Sequence, residues 1–404
     1  MNRTEGIALR WTRLNLDDPN EAQEAFAISR RASCVRGGIG ARALDLAWRS
    51  DGPVACESLY VYRLVRDDVV AGFAVLSRRD RPLKLMLGEV TIAKVPLKRY
   101  WHLGDPFLGD EVAADGVAAD ACDDLLASLV RSLGPRECVF FEGLPTSGPM
   151  CEALHKRSQD FVHLQLGPAY EHQFIDMPGS FADYVAQLGS RSRQSLLYSQ
   201  RKLLRDMADD VRCECFHTVD SVDRFVADAV AVSRKTYQWT LLGLGLRDQQ
   251  GLGAMLRRDA EHGWMRSFIL YCRGAPVAFM LGSQHGDCYY YDDVGYDPDF
   301  ARWSVGSVLQ MYVLEALYEQ SDPPKTFDFS TGYGEHKGRF GNRARSEANV
   351  LVFPATLQNR WLVSAYRVNE SLGNYAKNLL ERVGLKGTMK RFIRRYSMRK
   401  GGTG

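Results

Sequence analysis

The segment from Phe327 to Gly341 constrains the fold and chemistry of this chain more than any other stretch. It runs Phe-Asp-Phe-Ser-Thr-Gly-Tyr-Gly-Glu-His-Lys-Gly-Arg-Phe-Gly. The alternation of Asp328 with two aromatic residues predicts a short buried strand, in which the carboxylate faces away from both rings. Two glycines then break the strand, and an acid, an imidazole and two cations follow. Such a strand end is typical of folds that place chemistry at the carboxyl edge of a sheet.

Length and composition predict a soluble protein of two domains. The chain has 404 residues, of which 45% are hydrophobic and 25% charged, and this length exceeds what one core usually holds. The net charge of +3 is too small to indicate nucleic acid, although bases cluster locally, as at a site for an anionic ligand. Residues 1–16 lack the apolar core of a signal peptide, and no run approaches the ~20 apolar residues of a membrane helix. We therefore expect a cytoplasmic protein.

The cysteines predict neither disulfides nor a metal centre. Nine are scattered along the chain, and none forms a Cys-x-x-Cys pair. Cys213 and Cys215 alternate in a predicted strand, and His217 is the only nearby partner for a zinc site. We therefore expect free thiols in a reducing compartment and no bound metal.

The chain is predicted to consist of two halves with the same order of elements. The first half should contain a helix over 22–31, hairpin strands over 58–66 and 69–76, a helix over 112–133 and a strand over 138–142. The second should contain helices over 180–188, 190–207 and 222–237, strands over 264–271, 276–284 and 288–296, a helix over 307–320 and a strand over 326–330. Hairpin, helix and short strand recur in both halves, which indicates a duplicated α/β module. The boundary is placed between Leu164 and Pro178.

The C-terminal segment, residues 361–404, is predicted to be a basic amphipathic helix at its end. From Gly373 onward, lysines and arginines alternate with apolar residues. Such a helix can lie on an anionic membrane surface, so peripheral membrane contact is one expected partner. It can equally pack on the protein with a solvated basic face.

Two stretches are candidates for binding an anion. Between a predicted strand and helix lies the run from Arg302 to Ser307, where Gly306 would let a ligand approach the backbone. Ser304 or Ser307 could cap the helix or donate to a phosphate oxygen; an ordinary capped loop is the alternative. The second stretch is the basic helix from residue 190, on which Arg191 and Arg193 could fork onto phosphate or carboxylate. A solvated charged face is the alternative there.

Candidate catalytic groups lie in the segment that begins at Phe327. Asp328 could orient a substrate or act as a base, or it could be a structural strand-end carboxylate. Glu335 or His336 could take a proton from an attacking amine, although a loop histidine can simply be exposed. Lys337 could orient Asp328 or contact the acceptor.

Three further residues are candidates for substrate contacts. Tyr291 and Asp292 belong to an aromatic strand that could serve packing alone. Trp239, just after a predicted helix, could line an acceptor pocket or belong to the core.

This succession of elements and motifs resembles the bacterial GNAT-like acetyltransferases associated with cellulose biosynthesis, the CelD/BcsL type. That family has an Asp-Phe-Gly-x-Gly-x-x-x-Tyr-Lys pattern after its cofactor helix. Asp328, Gly332 and Lys337 match the pattern, whereas Ser330 replaces the first glycine and His336 the tyrosine. The basic helix from residue 190 resembles the family's arginine-rich helix, and the resemblance is best over about residues 170–345.

The resemblance implies an α/β fold of tandem GNAT-like domains, each a mixed, mostly antiparallel sheet flanked by helices. Residues 1–168 would form a degenerate N-terminal domain, 169–360 the catalytic domain and 361–404 the C-terminal segment. It also implies an acyl-CoA donor, usually acetyl-CoA, with the pantetheine between two central strands and the pyrophosphate on the following helix. By position the donor would contact Val294, Tyr296, Arg302, Ser304, Gly306 and Ser307.

The expected reaction is transfer of the acyl group to the amine or hydroxyl of a sugar, an amino sugar or an envelope or exopolysaccharide intermediate. The same fold underlies the Fem-type aminoacyltransferases, which use aminoacyl-tRNA, and the basic helix would suit that donor too. A non-catalytic GNAT-like partner of a polysaccharide synthase and a membrane-surface protein are the remaining alternatives.

Overall fold

The computed structural model describes most of the chain. The described residues are 9–35, 59–87, 90–114, 116–156, 160–177, 179–208, 210–236, 245–246, 250–330 and 335–382. Trp239 and the basic residues after Arg382 lie outside them. Within these ranges no helix is long and apolar enough to cross a membrane.

The strands and helices of the described residues are numbered in chain order. The strands are β1 (Arg10–Arg13), β2 (Leu59–Arg66), β3 (Val69–Asp80), β4 (Leu83–Leu87), β5 (Val90–Val95), β6 (Lys98–Leu103), β7 (Phe107–Leu108), β8 (Glu137–Pro145), β9 (Phe161–Gln165), β10 (Tyr170–Asp176), β11 (Val211–Phe216), β12 (Ser267–Cys272), β13 (Ala275–His285), β14 (Cys288–Tyr296), β15 (Thr326–Asp328) and β16 (Arg343–Pro354). The helices are α1 (Pro19–Val35), α2 (Asp110–Ala114), α3 (Ala118–Arg131), α4 (Pro149–Lys156), α5 (Phe181–Gln187), α6 (Ser190–Asp206), α7 (Val222–Lys235), α8 (Gln250–Glu261), α9 (Val305–Tyr318), α10 (Glu335–Phe340) and α11 (Leu357–Arg382).

Contacts divide the chain into two compact units. The first comprises residues 1–15, 56–168 and 348–404, and the second comprises 16–55 and 169–347. The unit boundary falls within β16. The predicted limits of independent domains, near residues 168 and 360, stay a prediction.

The first unit is built on mostly antiparallel strands in the order β1-β2-β3-β6-β8, and the second half of β16 pairs with β9. Its one parallel pair among the described strands, β6 with β8, runs from Lys98 opposite Glu137 to Leu103 opposite Glu142. The Gly104 N–H continues this pairing by donating to the Glu142 carbonyl at 2.7 Å. Helices α3 and α4 pack their apolar residues on this sheet.

The second unit orders its strands β16-β10-β15-β14-β13-β12-β11. Alternate residues of β12 enter two different cores, because successive side chains of a strand point to opposite faces. Phe268 and Leu270 pack with α6 and α9, whereas Ile269 and Tyr271 pack with α7 and α8. The second unit is therefore a sheet with helices on both faces, and the predicted α/β class with mostly antiparallel strands is confirmed.

Several predicted elements are confirmed, and one is wrong. Hairpins turn at Asp67-Asp68 and Arg273-Gly274, as predicted, and the basic helix α6 starts at Ser190. The single helix expected over 112–133 is instead α2 and α3, because Gly116 between them has a left-handed φ of 69° that a continuing right-handed helix excludes.

Candidate active site

The candidate site lies where two parallel strands of the second unit separate. β14 and β15 pair from Cys288 opposite Thr326 to Tyr290 opposite Asp328. β15 then ends, whereas β14 continues to Tyr296. We call the region beyond this last pair, where β14 continues without β15, the strand cleft. Asp328 therefore sits at the mouth of the cleft.

A bulge in β14 lies beside the cleft. Leu281 of β13 faces Asp293, but Gly282 faces Tyr291, so Asp292 is the extra residue on β14. A bulge leaves its extra residue outside the regular ladder and twists the strand locally. The β14 backbone next to Asp328 thus departs from regular pairing.

Ser330 bridges the two strands at the cleft. Its φ of 56° is left-handed, which an ordinary residue adopts only where the surroundings hold it. Its hydroxyl donates to the Tyr291 carbonyl of β14 at 2.7 Å, and its own carbonyl accepts from Lys337 Nζ at 3.2 Å. An acyl-group donor that pairs with the β14 backbone must therefore displace the Ser330 hydroxyl or bind along β14 beyond Tyr291.

The two carboxylate oxygens of Asp328 are in different situations. Oδ1 accepts from His172 Nε2 at 2.7 Å and from the Ser330 N–H at 2.6 Å. Oδ2 makes no hydrogen bond to any of the described residues, and 15% of the side chain is exposed. One oxygen is thus fixed by two donors, and the other can accept from a substrate.

His172 links Asp328 to a second, fully buried carboxylate. Its Nδ1 lies 2.9 Å from Glu347 Oε2, and Glu347 Oε1 accepts from Arg345 Nε at 2.9 Å. Glu347 is 1% exposed and His172 6%. Because both ring nitrogens face carboxylates, both must donate, and the ring is held as an imidazolium. We call Asp328, His172, Glu347 and Arg345 the carboxylate–histidine network.

Opposing effects decide the pKa of His172. Burial alone lowers it, but the hydrogen bonds that the ring donates to Asp328 and Glu347, together with the charges of these carboxylates, outweigh burial and raise the pKa from 6.5 to about 9. The imidazolium is therefore the form present at neutral pH.

Fold stability is expected to fall with rising pH because of His172. A pKa that is higher in the folded than in the unfolded state stabilises the fold fully below pH 6.5, and this contribution is lost as pH rises through about 9. The loss should reach at most about 3 kcal/mol. Urea unfolding at a series of pH values between these limits measures it.

The His172→Gln variant is the control for this pH dependence. Glutamine can still hydrogen-bond but does not titrate. An unfolding free energy that falls equally steeply in this variant would show that another group causes the dependence.

Lys337 approaches the same site from α10. Its side chain is buried, 8% exposed, and burial lowers the pKa of Lys337, while the charge of Asp328 opposes that change. Its ammonium thus donates to the Ser330 carbonyl and also feels the negative charge of Asp328. Glu335 and His336 precede it in α10; their side chains lie outside what the structure describes.

The start of α9 gathers positive groups. The helix begins at Val305 after Ser304, whose φ is 54° and whose side chain makes no cap hydrogen bond. Lys202 of α6 donates from Nζ to the Arg302 carbonyl at 3.2 Å. The Arg302 guanidinium lies 3.8 Å from the centre of the Trp303 ring. A helix N-terminus with two adjacent cations is an environment that favours an anion.

The backbone at the start of α9 is open to close approach by a ligand. A Cβ added at Gly306 would meet only the Tyr296 ring within 4 Å, at 3.4 Å. That ring is 46% exposed. Five of the six predicted donor contacts thus lie around one helix start: Tyr296, Arg302, Ser304, Gly306 and Ser307.

The predicted substrate contacts and Val294 do not gather at one place. Arg193 donates to the Ala186 carbonyl at the end of α5, at 3.1 Å, and Arg191 is exposed. The ring of Tyr291 is buried in the core beneath α9, against which Val294 also packs, whereas Asp292 is exposed. At the cleft, the Tyr291 backbone carbonyl rather than the ring makes a contact, with the Ser330 hydroxyl.

His172, Arg345 and Glu347 were missed by sequence reasoning. A faint signal exists: His172 lies in the run Tyr-Glu-His-Gln-Phe-Ile-Asp, and Arg345 and Glu347 alternate in Arg-Ala-Arg-Ser-Glu. Alternating charged residues in strands that also hold buried residues are unusual and indicate an internal ion network.

Comparison with known proteins gives one family match. Residues 190–338 match the family described as an acetyltransferase (GNAT) domain. This match supports an acyltransferase. No curated protein sequence matches the chain.

Two solved structures share the fold of this chain at low sequence identity, and a third matches less closely. FemX has 12% identity and a TM-score of 0.55, with 87% of this chain and 99% of that one covered. The C-terminal domain (DUF2156) of a putative lysylphosphatidylglycerol synthetase from Agrobacterium fabrum has 12% identity and a TM-score of 0.50, with 87% and 96% covered. A tandem GNAT protein from the clavulanic acid biosynthesis pathway has 13% identity and a TM-score of 0.43, with 86% and 99% covered.

Part of the candidate site lies outside the matched GNAT domain. The match contains Asp328, Ser330 and Lys337, whereas His172 and Glu347 come from flanking strands. Within the described residues, no group of His, Cys, Asp and Glu side chains is arranged to hold a metal ion.

Proposed function

We propose that this protein is an acyl-CoA-dependent N- or O-acyltransferase whose donor is acetyl-CoA. The observation that carries the proposal is the end of the β14–β15 pairing at Asp328, together with the cationic start of α9, which follows β14 in the chain. In the GNAT fold, a thioester donor uses such a pair of features. The pantetheine would lie along β14 beyond Tyr291, and the pyrophosphate would lie against the N-terminus of α9, near Lys202 and Arg302.

The proposed reaction is a direct transfer. The acceptor nitrogen or oxygen attacks the thioester carbonyl carbon, the new C–N or C–O bond forms, and the C–S bond breaks to release CoA. Backbone N–H groups of the irregular part of β14 would polarise the carbonyl. Asp328 Oδ2 would accept the acceptor's proton, and His172 holds Oδ1 so that Oδ2 stays directed to the substrate.

The remaining candidate groups have supporting roles in this proposal. Lys337 would orient Asp328 through Ser330 or contact the acceptor. Glu335 and His336, earlier in α10, are alternative bases. The chain offers Arg191, Arg193 and Asp292 as contacts for the acceptor.

The acceptor class is taken from the resemblance to the CelD/BcsL type. That resemblance implies a sugar, an amino sugar or an exopolysaccharide intermediate. Asp328 and Asp292 are carboxylates that can accept from sugar hydroxyls or an ammonium group, which is consistent with such an acceptor.

The strand pairing of the first unit supports a donor site in only one half of the chain. Its parallel pair, β6 with β8, stays paired through Leu103 and on to Gly104, which is a longer pairing than that of β14 with β15. The backbone groups of β6 and β8 that would line a cleft are thus hydrogen-bonded to one another and are not available to a ligand. We propose that the N-terminal half is a degenerate copy without a donor site.

Acetyl-CoA is expected to raise the thermal unfolding midpoint of the full chain. A ligand that binds only the folded state adds about 2.7 kcal/mol at a concentration of 100 times its Kd. Differential scanning fluorimetry with acetyl-CoA, and with CoA as a second ligand, measures the shift. An unchanged midpoint at millimolar acetyl-CoA would contradict the proposal.

Gly306→Val is the matched variant for this titration. The added side chain faces only the half-exposed Tyr296 ring, so folding should tolerate it, while the approach of a pyrophosphate to the backbone is blocked. We expect the shift with acetyl-CoA to shrink or vanish. A shift of normal size would place the donor elsewhere.

A Fem-type aminoacyltransferase is the second candidate. It is favoured by the fold shared with FemX and by the basic helix α6, which carries Arg191, Arg193, Arg201, Lys202 and Arg205. Its donor would be an aminoacyl-tRNA, bound with a steep dependence on salt concentration. Salt-dependent tRNA binding together with no response to acetyl-CoA would select this alternative.

A further inference from the structure

Helix α11 of the first unit exposes a row of large apolar side chains. Leu357 is 79% exposed, Trp361 76%, Val368 58% and Leu372 58%. These positions are separated by four, seven and four residues, which places them on one side of an α-helix. We call these four residues the apolar stripe. Exposure of the apolar stripe to water is unfavourable, because burial of each of these side chains would lower the free energy.

The opposite side of α11 is fixed to the first unit. Val363 is 3% exposed and packs in a core with Leu351 and Phe353 of β16. Asn369 Nδ2 donates to the Met86 carbonyl of β4 at 2.8 Å, and Asn359 Nδ2 donates to the Pro354 carbonyl at 3.0 Å. The helix therefore cannot turn to bury the apolar stripe without losing these contacts.

The chain around the apolar stripe is strongly basic. Residues 357–404 contain eleven Lys or Arg and two Glu, whereas the whole chain contains 52 Lys or Arg and 49 Asp or Glu. The rest of the chain is therefore net negative. Arg360 and Arg367, both exposed, lie on α11 itself, to one side of the stripe.

We propose that α11 docks on an anionic membrane surface through the apolar stripe. Apolar residues on one helix face combined with many cations are the features of a helix that lies in the plane of a membrane interface. Trp361 is the residue type that prefers the headgroup region, and each nearby cation adds attraction to acidic lipids. The proposal does not depend on the acyltransferase activity.

Charge distinguishes the membrane from a second copy of the chain as the occupant. A symmetric dimer brings the same patch of both copies together, so two strongly basic segments would face each other. An anionic bilayer instead complements the segment and takes up the apolar stripe. A membrane-bound enzyme would meet acceptors that are themselves attached to lipid.

Vesicle sedimentation tests the proposal with the full-length protein. We expect it to sediment with vesicles of equal parts phosphatidylcholine and phosphatidylglycerol, and far less with phosphatidylcholine alone. The double variant W361S/L372S should bind the anionic vesicles at least about tenfold more weakly, because both side chains lose their burial in the interface. The control V69S/V219S changes two other exposed apolar residues, 66% and 39% exposed, and should bind normally.

Three outcomes would overturn the proposal. The first is no sedimentation with anionic vesicles. The second is equal binding of W361S/L372S and the unaltered chain, which would mean that the basic residues alone make the contact. The third is a dimer in analytical ultracentrifugation that W361S/L372S dissociates, which would assign the apolar stripe to a second copy. Circular dichroism of each variant verifies that α11 remains folded.

Discussion

The Asp328→Asn variant should transfer acyl groups at least about 100-fold more slowly at saturating substrates, with its fold intact. The amide oxygen can still accept from His172 and Ser330, which bond to Oδ1 in the unaltered protein. What is lost is the basic oxygen, Oδ2, that would take the acceptor's proton. Steady-state release of CoA thiol, measured with an amino sugar as acceptor, gives the rate.

Asp287→Asn is the matched control for this experiment. Asp287 lies at the opposite end of the same strand pair, 57% exposed and bonded to Lys325. Its removal should leave the rate unchanged. If Asp328→Asn turned over at a normal rate, Asp328 would be a structural residue, and Glu335 or His336 would become the preferred base. The acetyl-CoA titration is independent of this result, since donor binding does not require the base.

The Glu347→Ala variant should lose about 3–5 kcal/mol of unfolding free energy. Glu347 is 1% exposed and accepts from Arg345 and from His172. Its removal would leave the imidazolium of His172 with only Asp328 and would leave the Arg345 guanidinium without its carboxylate. Breaking one member of a buried ion network costs far more than the network contributes as a whole, because an uncompensated buried charge remains. Urea unfolding at pH 7 measures the loss.

An exposed ion pair between the same two strands supplies the comparison. Asp176 of β10 accepts from Arg343 of β16 at 2.9 Å, with side chains 45% and 69% exposed. Asp176→Ala should therefore cost at most about 1 kcal/mol, because water screens the pair and solvates the remaining charge. Equal losses in the two variants would show that burial does not set the cost of breaking the network.

Local elements of this fold could be predicted from sequence because their signals are short-range. The hairpin turns at Asp67-Asp68 and Arg273-Gly274 follow from residues that tolerate left-handed backbone. The start of α6 at Ser190 follows from its apolar spacing. Asp328 was identified as a candidate because its own neighbours, two aromatic residues and then glycines, already define a strand end.

Strands in the first unit were less predictable. The hairpin of β4 and β5 lies between predicted elements and was not anticipated, since short strands of mixed polarity carry weak periodicity. The split of the helix expected over 112–133 depended on the conformation of Gly116, which a periodic pattern averages over.

By itself, the sequence determined the α/β alternation, the strand end at Asp328 and the basic character of α6 and the C-terminal segment. Only the tertiary structure decided which groups meet Asp328. His172 lies 156 residues from Asp328 and 175 from Glu347 along the chain, and the strand order β16-β10-β15 brings the three side chains together. Hydrogen bonds and charge interactions act over a few ångströms of space. Their partners are therefore set by which strands become neighbours, and no local spacing in the chain records that choice.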